Sequence, residues 1–156
     1  LRNVCVLLFA GMVVVSSAMQ IAGSMKNPEI TSVQRERAAY LQNNGLTFGY
    51  ATFWNANVVT ELTDGDVEAV AVSIDANAQG QGVPHTSMWL EATADRRMER
   101  PDEPVFLMLT AQESGQLSDF LALSGAQKRW EQSGMTIYEI ESQRVFFETA
   151  QTMDAQ

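Results

Sequence analysis

Residues 47–75 read TFGYATFWNANVVTELTDGDVEAVAVSID, and this stretch decides the fold. Thr47 to Thr52 is short, aromatic and β-branched at its ends, which suits a strand. Phe53 to Leu62 then places Val58, Val59 and Leu62 on one side of a helix. Thr63-Asp64-Gly65-Asp66 is a turn. Val67 to Asp75 is the clearest strand of the chain. Val70, Val72 and Ile74 fall on one face by period two, and Glu68 interrupts that face only at its start. Strand, helix, turn and strand in so few residues are the start of an alternating α/β pattern.

The flanks extend the pattern. Upstream, Thr31 and Gln34 make a possible capping box for a short helix starting near Thr31 or Ser32. That helix runs to Leu41 and stops at Asn43-Asn44-Gly45. Downstream, Ala76 to Pro84 is rich in Gly, Gln and Asn and reads as a loop. Ser87 to Met98 leans towards a helix carrying Trp89 and Leu90. Glu99 to Glu103 is a charged loop. Pro104 to Thr110 is a continuous apolar run, as in a strand buried on both faces. Ser114 to Leu123 reads as a helix with Leu117, Phe120 and Leu121 at core spacing. Trp130 and Met135 to Ile140 flank Ser133-Gly134, a hairpin turn. Val145 to Phe147 adds a last strand, and residues 150–156 form a polar tail expected to fray. Alternating strands and helices closed by a hairpin predict an α/β domain with a mixed sheet over residues 27–149.

Residues 1–26 are of another kind. Between Arg2 and Lys26 no side chain is charged, and Val4 to Ala18 is nearly all apolar. A bilayer crossing needs about 20 mostly apolar residues. Asn3 to Met25 meets that length, so one transmembrane helix is expected here. The rival reading is a secretory signal peptide, with Ser16-Ser17-Ala18 as its cleavage site. A buried core helix is the third. The first two both place the following domain outside the cytoplasm. Leu1 is not Met, so an upstream part or a removed leader is expected. Cys5 lies in the apolar stretch without a lipobox and reads as a small hydrophobe.

The whole chain of 156 residues holds 19 acidic and 10 basic side chains, for a net charge of −9. A nucleic-acid partner is excluded on that ground, because phosphate backbones demand Lys and Arg. The only basic cluster, Arg96-Arg97 with Arg100, is outnumbered by nearby acids. One Cys and one His exclude an internal disulfide framework, a multi-cysteine zinc site and an HExxH motif. Asp75-Ala76-Asn77-Ala78-Gln79-Gly80 opens like a calcium loop but has neutral Gln79 at its fifth position and Thr86 at its twelfth. His85 has no cysteine or GxSxG partner and reads as a surface or half-buried His. Glu131, Glu139 and Glu141 read as solvent-facing residues of the hairpin. No catalytic residue, metal ligand or cofactor site is assigned.

The densest cluster of binding chemistry is Tyr50, Trp54, Asn55 and Asn57. It lies where a strand passes into a helix, and α/β sheets hold ligands at the carboxyl ends of their strands. Tyr50 and Trp54 offer flat faces with a polar handle. Asn55 and Asn57 both donate and accept. Aromatic faces beside amides suit a sugar ring. The competing reading is that the aromatic residues are core.

The order of these motifs carries a resemblance. An apolar span precedes a helix ending in Asn44-Gly45-Leu46. Phe48-Gly49-Tyr50-Ala51-Thr52-Phe53-Trp54-Asn55-Ala56-Asn57 follows, then the Val-rich strand and the Trp-containing segment. Pro104-Val105-Phe106-Leu107 leads to Glu113, and a hairpin with Thr136-Ile137-Tyr138 closes the array. This resembles the C-terminal extracytoplasmic domain of multispanning bacterial membrane proteins similar to GT-C class glycosyltransferases. The resemblance implies a whole protein that transfers sugar from a polyprenyl-phosphate donor outside the cytoplasm. Its catalytic Asp would lie in an early loop between the first spans, which this chain does not include, so no catalytic residue carries over. This chain would be the last span and an accessory domain at the cell membrane. Its partners would be membrane lipid, a glycan or lipid-linked sugar, and upstream transmembrane helices of the same protein. Arg144 to Phe147 has no counterpart in the pattern. The alternatives are a secreted or singly anchored carbohydrate-binding module and a structural module without catalysis.

Overall fold

A computed structural model describes residues 28–86 and 100–156. The chain divides into two compact units, residues 1–35 and 36–156, and the second carries the sheet. Helix α1 spans Pro28–Asn43, β1 Phe48–Thr52, α2 Phe53–Leu62, β2 Glu68–Ala76 and β3 Gly82–Thr86. After residues 87–99 come β4 Val105–Thr110, α3 Ala111–Gln116, α4 Ser118–Leu123, β5 Gln127–Gln132, β6 Met135–Ile140 and α5 Gln143–Asp154. The six strands form one sheet in the order β3-β2-β1-β4-β6-β5. β1 pairs in parallel with both β2 and β4, and the outer pairings are antiparallel. The mixed α/β sheet expected from the alternation of strands and helices over residues 27–149 is the architecture of this domain.

Period-two alternation sorts the strand side chains onto two cores. One face holds Phe48, Tyr50, Val70, Val72, Leu107 and Leu109, covered by Leu117, Phe120, Phe146 and Met153 from α3, α4 and α5 and their junctions. The other face holds Ala51, Phe106, Met108 and Ile137, with Leu41 of α1 and Ala56 and Val59 of α2. Both faces of β4 are buried, which is why its sequence is an unbroken apolar run. Gly49 makes the centre possible. A Cβ there would lie 2.3 Å from the Phe106 carbonyl oxygen and 2.4 Å from its ring. The missing side chain lets the Phe106 ring lie over the β1 backbone.

Local chemistry fixes the element ends. α1 closes with Leu46 N donating to Leu41 O at 3.0 Å around Gly45, a Schellman-type stop. Ser133 and Gly134, at φ 50° and 74°, turn β5 into β6 as a two-residue loop with left-handed backbone. Thr110 and Glu113 form a reciprocal capping box. The Glu113 carboxylate accepts from Thr110 N at 2.7 Å, and Thr110 Oγ1 accepts from Glu113 N at 3.2 Å.

Several expectations change. α1 already includes Pro28 rather than starting near Thr31, because proline is tolerated in a first turn. The loop expected over Ala76 to Pro84 gives way at Gly82 to β3, and Pro84 fits because β3 is an edge strand. The single helix expected over Ser114 to Leu123 is two helices meeting at Leu117. The strand expected at Val145 to Phe147 is part of α5. Ser142 caps that helix by accepting from Val145 N, and Phe146, Ala150 and Met153 make its buried stripe. The tail expected to fray from residue 150 stays helical through Asp154, with Met153 buried. It is held from outside: Asn77 Nδ2 donates to Met153 O at 2.8 Å, and His85 Nε2 lies 3.5 Å from the Asp154 carboxylate.

Among the described residues, no helix is long and apolar enough to cross a membrane. The expected span over residues 1–26 lies outside the described residues, as does the helix expected at Ser87 to Met98.

Candidate functional site

β1 and β4 are neighbouring parallel strands, and each passes straight into a helix. α2, after β1, packs on the Ala51–Phe106 face through Ala56 and Val59. α3, after β4, leads to Leu117 on the opposite face. The chain therefore leaves adjacent strands towards opposite sides of the sheet. Such a split at the carboxyl edge is a topological switch point, the place where open α/β sheets take ligands. The hairpin turn closes one end of this edge, because Ala111 N donates to Gly134 O at 3.1 Å.

Trp54 stands on the second residue of α2 and is 78% exposed. Its ring meets Phe53 edge-on, with centroids 5.1 Å apart at 75°. That contact orients the indole without covering it. Asn55 is half-buried, and its amide donates to Thr52 Oγ1 at 3.0 Å. Thr52 therefore makes no side-chain cap to the α2 backbone. Asn57 is exposed on the outer side of the same helix. The edge thus presents a flat apolar ring with an indole N–H and a nearby free-standing amide. Such groups bind, stack and hydrogen-bond.

Tyr50 is placed elsewhere. It is 1% exposed and stacks on Phe146, with centroids 4.1 Å apart at 13°. Its hydroxyl accepts from Gln143 Nε2 at 3.0 Å. Gln143 is itself fully buried, and its Oε1 accepts from Arg100 N at 3.0 Å. Tyr50 is thus the hub of a buried polar contact that ties β1 to α5 and to the segment entering β4. The structure separates the four proposed residues: Trp54 and Asn57 face outward, Asn55 braces the turn, and Tyr50 belongs to the core. Period two explains the division. Even-numbered β1 residues point into one core, and the helical turn after Thr52 swings Trp54 out.

Other sequence candidates fall into place. Asp75 accepts from Ser73 Oγ at 3.0 Å, and Asn77 Oδ1 accepts from Gln79 N and Gln81 N, so the calcium-like stretch is a self-bonded hairpin loop. Among the described residues, no cluster of three His, Cys, Asp or Glu side chains could hold a metal ion. Glu139 and Arg129 form a two-bonded pair, each contact at 3.1 Å, and Glu131 pairs with Lys128 at 2.8 Å. Arg96 and Arg97 lie outside the described residues. A cleft of about 220 Å³ lies beside the carboxyl end of β2, lined by Ile74, Asp75, Gly82 and Gln116 among others.

Sequence reasoning missed Arg37. Its Nε is buried without a hydrogen-bond partner, and burial lowers its guanidinium pKa. Its neighbours Ala38 and Leu41 face the core, and only the helical phase of α1 could have flagged it.

Comparison with protein families, with characterised proteins and with solved structures finds no match for this chain.

Proposed function

We propose that residues 36–156 are the accessory domain of a membrane-anchored, glycosyltransferase-like protein, seated on the extracytoplasmic side of the cell membrane. The whole protein would transfer sugar from a polyprenyl-phosphate donor, with its catalytic part outside this chain. The domain's share is contact with the glycan or lipid-linked sugar at the carboxyl edge of β1. The observation that carries this reading is Trp54, a large aromatic held 78% exposed where the chain splits to both sides of the sheet. An exposed indole at a strand-to-helix junction offers a flat apolar face with a polar N–H, the surface on which a sugar ring stacks. Asn57 supplies a hydrogen-bonding group for sugar hydroxyls beside it. The uncharged stretch Asn3–Met25 supports the anchor by its length.

Tryptophan fluorescence tests this. In the full chain carrying Trp89→Phe and Trp130→Phe, Trp54 is the only reporter. Titration with a polyprenyl-phosphate-linked hexose in detergent micelles should shift or quench its emission saturably, and the free polyprenyl phosphate should do so less. A flat titration with both, on folded protein, rejects the site.

A further inference from the structure

Three elements build the cleft of about 220 Å³ beside the carboxyl end of β2. Ile74, Asp75 and Ala76 of β2 form one wall. Gly80 of the hairpin loop and Gly82 at the start of β3 form the second, and Gln116, the last residue of α3, forms the third. Bonds hold these walls in place. Asn77 Oδ1 accepts from Gln79 N at 3.1 Å and from Gln81 N at 2.9 Å, so the loop fixes its own shape. Gln81 Nε2 donates to Asp119 Oδ2 at 3.0 Å and ties the loop to α4. Gly82 lies so close to the end of α3 that a Cβ there would meet Gln116 O at 2.4 Å. Walls held this way are preformed, as in most small-molecule sites. We propose that this cleft binds a small organic cation, a primary ammonium on a short apolar chain, with the Asp75 carboxylate as its counter-ion and the Gln116 amide oxygen as a second acceptor. The proposal uses no residue of the Trp54 edge and stands whether or not a sugar binds there.

Charge and size select this ligand. Residues 73–82 and 111–119 supply the walls and their supports, and they hold Asp75, Glu113 and Asp119 but no Lys, Arg or His. Glu113 is engaged by the Thr110 cap and Asp119 by Gln81. Asp75 keeps capacity: one oxygen accepts from Ser73 Oγ at 3.0 Å, and the other has no partner among the described residues. His85, the next basic side chain along β3, lies 3.5 Å from Asp154 instead. An ammonium N–H donated to a carboxylate is roughly twice as strong as a bond between neutral groups. Ile74 and Ala76 give an alkyl chain apolar surface to lie on. The volume equals roughly seven waters at ~30 Å³ each, which admits a chain of a few carbons and excludes a peptide. A bare metal ion suits the cleft poorly. Among the described residues no three His, Cys, Asp or Glu side chains come together, and hard cations such as calcium take about six to eight oxygens.

The test follows amide resonances by NMR in the isotope-labelled full chain in detergent micelles, at fixed ionic strength. The probe is n-butylammonium chloride, with n-butanol as its neutral analogue and butyrate as its anionic one. The expected result is a saturable shift of the Asp75, Gly80 and Gly82 backbone amides and of the Gln116 side-chain amide. The shift should be at least fivefold smaller with n-butanol at the same concentration and absent with butyrate. Asp75→Asn keeps the size of an exposed side chain and should weaken the butylammonium shifts at least fivefold. Gln116→Ala should weaken them as well, and each variant is read at the circular dichroism of the parent chain. Equal shifts with n-butanol show an apolar cleft only and overturn the charge assignment. Shifts that spread alike over Glu131, Glu139 and Glu141 show surface ion pairing only and overturn the site. No saturable shift on folded protein overturns the proposal, and so does undiminished binding by Asp75→Asn.

Discussion

Trp54 and Tyr50 lie four residues apart, and exchanging each should give opposite consequences. Trp54 is 78% exposed, so roughly 50 Å² of a ring surface near 250 Å² is covered, worth about 1 kcal/mol at ~25 cal/mol per Å². The edge contact with Phe53 adds a few tenths to ~1 kcal/mol. Trp54→Ala should therefore cost at most about 2 kcal/mol. Tyr50→Phe removes one oxygen only, but it leaves Gln143 Nε2 without its buried acceptor, at a cost of about 1–3 kcal/mol. Tyr50→Ala also empties the stack on Phe146 and should cost about 3–5 kcal/mol. The assay is urea unfolding of the full chain in detergent, followed by far-ultraviolet circular dichroism so that loss of an indole does not alter the probe. A cost above ~3 kcal/mol for Trp54→Ala would place the indole in the core and refute the surface reading. A cost-free Tyr50→Phe would refute the buried hydrogen bond.

Three further outcomes follow from the packing. Gly49→Ala should destabilise by ~3 kcal/mol or more, since its Cβ would collide with backbone at Phe106; urea midpoints read this. Asn77→Ala removes the side-chain bonds to Met153 O, Gln79 N and Gln81 N, costing about 1–3 kcal/mol, and hydrogen exchange should rise in the last turn of α5 and in the hairpin loop together. Arg37→Met deletes a buried donor that has no partner while keeping an unbranched stem, and should raise stability by about 1 kcal/mol in the same unfolding assay.

What the sequence revealed and what it hid divide along physical lines. Residues 47–75 were legible because each element used its own period: alternation in β2, a turn with Gly65, and apolar spacing in α2. β4 was legible because burial on both faces leaves an unbroken apolar run. The hairpin was legible because Ser133-Gly134 supplies the left-handed backbone its turn needs. α5 was misread because Val145-Phe146-Phe147 is locally β-prone, and the helix depends on the Ser142 cap and on the later Ala150 and Met153. β3 was hidden because Gly82 and Pro84 are loop residues except at a sheet edge. The candidate site was half legible. A strand-to-helix junction rich in Tyr, Trp and Asn can be found by eye. Which aromatic faces the core depends on the residue at which β1 ends, and a shift by one position would have exchanged Tyr50's surroundings for Gly49's. Arg37 had no signal beyond helical phase.

The central claim is that Trp54 is the contact surface for a lipid-linked sugar at a membrane. The most direct test is the indole N–H resonance of Trp54, followed by NMR in the full chain in phosphatidylcholine nanodiscs. Adding a polyprenyl-phosphate-linked hexose should shift this resonance saturably. The indole of Trp130, which lies against Tyr40 with centroids 6.1 Å apart, should stay in place. A Trp54 resonance that does not move at saturating donor, or moves no more than that of Trp130, contradicts the claim.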